Sequence, residues 1–402
     1  MRDSDAQWAA LRRDLHAHPE TGFEERRTSE IVAEKLQSMG IAVHRGLGGT
    51  GVVGVLHGRD GGACGRGVGL RADMDALPVQ EGNRFAHASV HAGRMHACGH
   101  DGHTAMLLAA AQDLASARDF DGTVYLIFQP AEEINGGARR MIDDGLFDRF
   151  PMQAVFGMHN WPGGRPGDFQ VGGGPVMAST NRFRILVRGV SAHGAMPDQG
   201  IDPVLAACQL VVALQGVVSR NTRPIDAAVL SVTMVHAGEA VNVIPEACEL
   251  RGTVRAFDSG VLDRIEARME KTANGICDAM GAECEFEFER LCPPTVNAQR
   301  EAALAREVIA ELFGNERVAV QEPTMGAEDF AFMLQAKPGA YVFMANGDGS
   351  HRAAGHGRGP CVLHNPAYDF NDELIPLGRA YWSALARRWL GQAGAPTQVR
   401  HA

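Results

Sequence analysis

Two five-residue runs, VYLIF (124–128) and AVFGM (154–158), are apolar throughout, and each lies between stretches with helical periodicity. A strand with no polar side has no face to give to water. Such strands belong in a sheet covered on both faces, and strands that alternate with helices pair mainly in parallel. The spacing predicts an amphipathic helix over 24–39 stopped by Gly40, strands at 51–56 and around 69–71, and a helix over 102–115. The fold class that follows is α/β.

A different pattern begins near Asn181. NRFRILVRG puts Phe183, Ile185 and Val187 on one face, the period of a half-buried strand. Asp202 and Pro203 then supply an N-cap and first-turn proline for a helix reaching Arg220. Two strands, a helix over 261–280 and the alternating strand ECEFEFER complete a β-α-β-β-α-β order, the ferredoxin-like α+β plan. This block, 180–292, reads as a domain inserted into a catalytic domain made of 1–179 and 293–402. In the returning part, a helix over 301–313, a strand at 341–344 and a helix over 373–390 complete the first sheet. The helix over 204–218 is apolar almost all round, more than packing on one sheet requires, so the insertion is expected to serve dimerisation as well as to act as a lid.

The formal net charge of −10 argues against a nucleic-acid or anionic-membrane surface, and no run of 18 or more apolar residues occurs. A small anionic substrate is compatible with that charge, because one or two arginines suffice to bind it. The N-terminus lacks the apolar core of a signal peptide, and the eight cysteines are scattered without a CxxC pair, so a cytoplasmic location with reduced thiols is expected.

HACGHDGH, residues 96–103, sets one thiol among three imidazoles. Cys98 and His100 are two apart and would share a face of an extended segment, where thiolate and imidazole suit zinc and its first-row neighbours. A crowded turn, or a thiol nucleophile with a neighbouring base, are the competing readings. FQPAEE delivers Glu132 and Glu133 from the end of an apolar strand, where open α/β sheets gather ligands. One carboxylate could bind metal while its neighbour acts as general base; the alternative is a solvated helix start. GMHNW leaves His159 at the same margin, and CVLHNPAYDFND adds His364 before a proline turn. Asp73 and Asp75, in RADMDALP, are again two apart, and either could orient a ligating imidazole. Cys98, His100, Glu133, His159 and His364 form a donor set too large for one tetrahedral ion but suited to two ions about 3.5 to 4 Å apart. In the insertion, SAHGAMP carries His193, NVIP carries Asn242, and Arg251 and Arg255 share a strand face. There they could clamp a carboxylate or simply be surface charges.

LHAHPETGFEE, RADMDALP, HACGHDGH, FQPAEE, GMHNWPGG, SAHGAMP, NVIP, GAEDFAFM and LHNPAYDFND, in this order over nearly the whole chain, resemble the zinc aminoacylase and carboxypeptidase family of metallopeptidases. The closer likeness is to its amidohydrolase branch of hippurate hydrolases, N-acyl-amino-acid amidohydrolases and auxin-conjugate hydrolases. The resemblance implies a metallohydrolase catalytic domain with two divalent ions per subunit, zinc first, with manganese, nickel or cobalt as alternatives. Cys98, His100, Glu133, His159 and His364 fall at ligand positions, Cys98 where the wider family has a bridging aspartate. Glu132 falls at the general base and Asp75 at the orienting aspartate. His193 and Asn242 match lid residues that help bind the reacting carbonyl or the substrate carboxylate, in some dimeric relatives from the neighbouring subunit, and Arg255 matches the arginine that grips the substrate's α-carboxylate. The chain departs from the wider pattern where Asp73 replaces the usual ligand of the HxD motif and His100 substitutes for it. The implied activity is hydrolysis of N-acyl amino acids, of hippurate or N-acetyl type, by a homodimer or homotetramer. A dipeptidase or carboxypeptidase of the same family is the alternative, followed by a thiol hydrolase and a catalytically silent metal-binding homologue.

Overall fold

A computed structural model describes residues 3–134 and 136–391. The chain divides into two compact units, one formed by the described residues of Met1–Gly174, Asn297–Glu322 and Phe332–Ala402, the other by Pro175–Val296 and Pro323–Ala331. The first unit opens with α1 (Asp3–Ala17), α2 (Arg26–Ser38), β1 (Ala42–Leu47), β2 (Gly51–His57), β3 (Gly67–Asp73) and α3 (His100–Ala117). It continues with β4 (Thr123–Gln129), α4 (Gly137–Asp143), β5 (Ala154–Pro162) and β6 (Phe169–Gln170). The second unit supplies β7 (Thr180–Arg188), α5 (Pro203–Asn221), β8 (Ala228–Ala237), β9 (Ala247–Ala256), α6 (Ser259–Met280) and β10 (Glu283–Cys292). The chain then returns to the first unit with α7 (Gln299–Phe313), β11 (Val318–Ala319), β12 (Gly339–Gly347) and α8 (Ile375–Gly391).

The large sheet runs β1-β2-β4-β3-β5-β12-β6-β11. Its middle, β4-β3-β5-β12, is parallel. These are the strands whose residues are apolar on both faces, and every residue of β3, β4 and β12 is buried. Antiparallel pairing is confined to the flanks, where β1 and β2 form a hairpin closing at Leu47 and Gly51, β2 runs against β4 and β6 runs against β12. Strand β1 escaped the sequence reading because its side chains are mostly exposed and give no apolar run. Helix α3 packs against α1, α8 and β3, and it is buried without a break from His100 to Ala111.

The second unit is the ferredoxin-like sheet in the order β8-β9-β7-β10, antiparallel throughout. Phe183, Ile185 and Val187 of β7 face a core built with Ala206, Leu210 and Leu214 of α5 and Leu262, Ile265 and Met269 of α6. The other sheet face carries charge pairs, among them Arg184 with Glu249 and Glu287, and Arg188 with Glu285. The Asp202 carboxylate caps α5 by accepting from Val204 N and Leu205 N. By length and mean hydropathy α5 could cross a membrane, yet one side of it closes this core. Leu205 and Val212 on its other side are exposed.

Candidate metal centre

The donors gather where the parallel strands end. Strand β3 stops at Asp73, β4 leads into Glu132 and Glu133, and His159 lies within β5, opposite Phe343 of β12. The apolar run 154–158 therefore continues as strand through the histidine instead of ending before it. Helix α3 starts at His100, and Cys98 is separated from it by Gly99 at φ 91°. The two-apart spacing of Cys98 and His100 thus acts through a left-handed turn, not through a shared face of extended chain. Glycine is required there on a second count, because a Cβ on Gly99 would stand 2.3 Å from Asn160 Nδ2 and 2.4 Å from the Tyr368 hydroxyl.

Cys98, His100 and His159 bring donor atoms within 4.8 Å of one another, as do Cys98, Glu133 and His364, and His100, Glu132 and Glu133. Cys98 Sγ lies 3.3 Å from His159 Nε2. The two carboxylate oxygens of Glu133 face different imidazoles, Oε1 at 3.9 Å from His100 Nε2 and Oε2 at 3.5 Å from His364 Nε2. His364 is the exposed member, held by its N–H on Ala97 O. The orientation of the other two rings is fixed from behind. His100 Nδ1 bonds Asp75 O at 2.9 Å and His159 Nδ1 bonds Asn160 O, so both Nε2 atoms turn inward. The second oxygen of Asp75 accepts from Glu133 N at 3.0 Å, so one aspartate steadies two donors.

The residues fit a pair of divalent ions. Among the described residues, His100 Nε2 and Glu133 Oε1 are buried with no hydrogen-bond partner, a costly state that coordination would relieve. Burial pushes the Cys98 thiol well up, with Glu133 and Glu132 adding to it, and burial followed by neighbouring His103 pushes His159 well down. Burial also raises the Glu133 carboxyl to about 7, against the pull of His100. A cation among these atoms would pull the thiol and the carboxyl back down and would favour the same neutral His159 that burial favours, and mixed sulfur, nitrogen and oxygen donors suit a borderline metal.

A further grouping, Asp73 with His100 and His103, is an internal charge network. Asp73 spends one oxygen on Arg71 at 2.7 Å and the other on His103 Nδ1 at 2.6 Å, while His103 Nε2 accepts from Asn160 N. Asp73 therefore serves as the buried partner of Arg71 and His103. Strand β3 ends at Asp73, so Asp75 lies in the loop beyond it, and the two carboxylates approach opposite nitrogens of the His100 ring. His96 and His103 of HACGHDGH likewise stay outside the donor set. Asn160 escaped the sequence reading: its amide donates to Cys98 O at 2.6 Å and accepts from the Tyr368 hydroxyl at 2.6 Å. Its place directly after His159 was the available signal. Glu25 was also missed, a buried carboxyl that burial pushes up to about 7.

In the second unit, a two-residue ladder sets His193 opposite Val243, and Gly194 N bonds Asn242 O at 2.8 Å, so His193 and Asn242 are neighbours. Both side chains are exposed. Arg255 stands on β9, bonded to the Thr180 hydroxyl. Arg251 pairs with Glu249 at 2.7 Å and is an exposed surface charge, so it does not join Arg255 in a clamp.

The sequence model of Peptidase family M20/M25/M40 matches residues 69–388, a span that contains every donor above. The chain belongs to this family. A hippurate hydrolase of Campylobacter jejuni is 40% identical over 389 residues, 96% of this chain and 98% of the relative. Thermostable carboxypeptidase 1 of Saccharolobus solfataricus is 40% identical over 383 residues, 94% of this chain and 93% of the relative. Among solved structures, a dinuclear metal binding peptidase from M20 family of Bacillus subtilis superposes with TM-score 0.84 at 34% identity, covering 98% of this chain and 100% of the other. In this M20/M25/M40 member the donors come from β5 and from the loops after β3, β4 and β12.

Proposed function

We propose that this chain is a metal-dependent amidohydrolase that cleaves N-acyl amino acids of hippurate or N-acetyl type to an amino acid and a carboxylic acid. The observation that carries the reading is the Glu132–Glu133 pair. Glu133 turns an oxygen to each of two imidazoles, while Glu132, buried beside it, brings an oxygen within 4.8 Å of donor atoms of His100 and Glu133. Cys98, His100, Glu133, His159 and His364 would hold two divalent ions, zinc first, with manganese, cobalt or nickel as alternatives. When bound, the ions supply a Lewis acid for the amide carbonyl and lower the pKa of the attacking water. Glu132 takes the proton of that water and returns it to the leaving amine nitrogen. Asp75 keeps the His100 ring in its ligating orientation. His193 and Asn242 bind the reacting carbonyl or the substrate carboxylate, and Arg255 grips the α-carboxylate.

The hippurate hydrolase relative supports the acyl-amino-acid substrate, and the dinuclear relative supports the pair of ions. The carboxypeptidase relative favours a second reading, release of a C-terminal residue from a short peptide by the same chemistry. A thiol hydrolase is disfavoured because burial and two carboxylates oppose a Cys98 thiolate. Exposed Leu205 and Val212 on α5 and the exposed end of the edge strand β8, Met234 and Val235, support assembly of the second unit with its copy into a homodimer or homotetramer. Eight free cysteines support a cytoplasmic location.

The test is amino-acid release from N-benzoyl and N-acetyl amino acids and dipeptides, by protein stripped with chelator and reloaded separately with zinc, manganese, cobalt and nickel. Metal-dependent cleavage is expected, and Glu132→Gln should lower kcat about 10²- to 10⁴-fold. A Glu132→Gln enzyme within threefold of wild type would remove Glu132 from the base role.

A further inference from the structure

The motif LHAHPETGFEE precedes the span matched by the family model and holds none of the residues assigned to metal, proton transfer or substrate. It nevertheless touches the segments after β3 and β4, which carry Asp75, Cys98, His100, Glu132 and Glu133. His16 Nδ1 bonds Asp101 Oδ2 at 2.9 Å, next to His100. Glu20 O accepts from Ala76 N at 2.8 Å, next to Asp75. Glu25 Oε1 accepts from Ala131 N at 2.8 Å, next to Glu132.

The third contact falls on strained backbone. Ala131 has φ 54°, a left-handed state that a residue with a Cβ adopts only when its surroundings impose it. Three observations describe what imposes it. Glu25, fully buried, meets the Ala131 N–H with one oxygen and the Thr50 hydroxyl with the other. The Ala131 carbonyl accepts from Gly137 N at 3.2 Å, in a turn so tight that a Cβ on Gly137 would stand 1.6 Å from Pro130 O. The far end is pinned where Glu133 N meets Asp75. Without Glu25 the Ala131 N–H would be a buried donor left unpaired, and the peptide could relieve both costs by rotating toward an ordinary conformation. That rotation would turn the two carboxylates that follow it.

We propose that Glu25 is a positioning residue: by accepting the Ala131 N–H it holds the left-handed turn that aims Glu133 at the metal donors and Glu132 at the reacting water. This inference rests on the roles given above to Glu132 and Glu133. What the position needs is an acceptor oxygen, so glutamine should serve, because its carbonyl can take the Ala131 N–H while its NH₂ donates to the Thr50 hydroxyl.

The experiment compares wild type with Glu25→Gln, Glu25→Ala and Glu25→Asp as full-length zinc enzymes. It reads kcat and KM on N-benzoylglycine and zinc affinity by competition with a chelating dye. Expected for Glu25→Ala is a loss of about 10- to 100-fold in both kcat and zinc affinity, as for other groups that orient metal ligands, with KM within threefold. Glu25→Gln should recover both to within threefold. If Glu25→Ala does not fold, Glu25→Asp, one methylene short of Ala131, should show the same paired loss. The proposal is overturned if the folded Ala or Asp variant keeps kcat and zinc affinity within threefold while only its melting temperature drops, or if Glu25→Gln is as impaired as Glu25→Ala. Glu132→Gln and Glu133→Ala run alongside separate the two levels. Full activity in the first or unchanged zinc affinity in the second sinks the functional reading, whereas normal losses in both with an indifferent Glu25 sink only this proposal.

Discussion

His16 should be a cation inside the protein well above neutral pH, and that makes a measurable alkaline loss of stability. Its ring is fully enclosed, with Nδ1 2.9 Å from Asp101 and Nε2 3.2 Å from Glu81, and Arg12 approaches the same Asp101 oxygen at 3.6 Å. Burial alone would lower its pKa, but the bonds to Asp101 and Glu81 outweigh it and raise the ring from 6.5 to about 10. A folded value above the unfolded one gives stability that is whole below pH 6.5 and is lost as pH rises through about 10. At about 1.36 kcal/mol per pH unit the full effect is about 5 kcal/mol, and linkage places roughly 3 to 4 kcal/mol of the loss between pH 6.5 and 9.5. The perturbation is His16→Gln, with both proteins stripped of metal so that ligand titration cancels in the difference. Asp101 and Glu81, held below their ordinary values, and His96, pushed down to about 4 by burial, titrate below this window. Urea unfolding followed by tryptophan fluorescence is a fitting assay, because Trp8, Trp161, Trp382 and Trp389 all belong to the first unit. The advantage of wild type over the variant should shrink by roughly 3 to 4 kcal/mol from pH 6.5 to pH 9.5. A difference that stays constant to within about 1 kcal/mol would refute the buried imidazolium.

Asn160→Ala strips partners from the Cys98 carbonyl and the Tyr368 hydroxyl; it should cost about 2 to 5 kcal/mol in urea unfolding and weaken zinc binding, whereas Tyr368→Phe should cost about 1 kcal/mol. A loss for Asn160→Ala no larger than for Tyr368→Phe would mean that the Cys98 contact contributes nothing. Asp202→Ala removes the cap of α5 and should destabilise the second unit by about 1 kcal/mol, seen by calorimetry, while zinc affinity stays unchanged.

What could be read in the sequence was whatever depends on near neighbours along the chain. The burial of Phe183, Ile185 and Val187 follows from alternation, the α5 cap from an Asp-Pro pair, and the gathering of Cys98, His100, Glu133, His159 and His364 from the rule that open α/β sheets collect ligands where parallel strands end. Choices between chemically equal residues could not be read. Asp73 and Asp75 look interchangeable in DMD, and so do the three histidines of HACGHDGH. Asp73 is claimed by Arg71 and by His103, thirty positions away, which leaves Asp75 for His100 and Glu133. His103 is claimed in turn by Asp73 and Asn160, which leaves His100 for the donor set.

The same reasoning explains why LHAHPETGFEE is silent in the sequence yet central in the structure. Its side chains do no chemistry of their own, and their partners lie tens of residues away, Asp101 for His16 and Ala131 for Glu25. His159 is held by the strand ladder, but Cys98, Glu133 and His364 lie on loops outside it, and such loops need tethers from elsewhere in the chain. Here one N-terminal segment reaches the segments after β3 and β4 through a buried imidazole, a backbone carbonyl and a buried carboxylate. Shortening any one of these tethers should therefore be felt first as a change in metal affinity and only second as a change in fold stability, the reverse of the order expected for an ordinary core substitution.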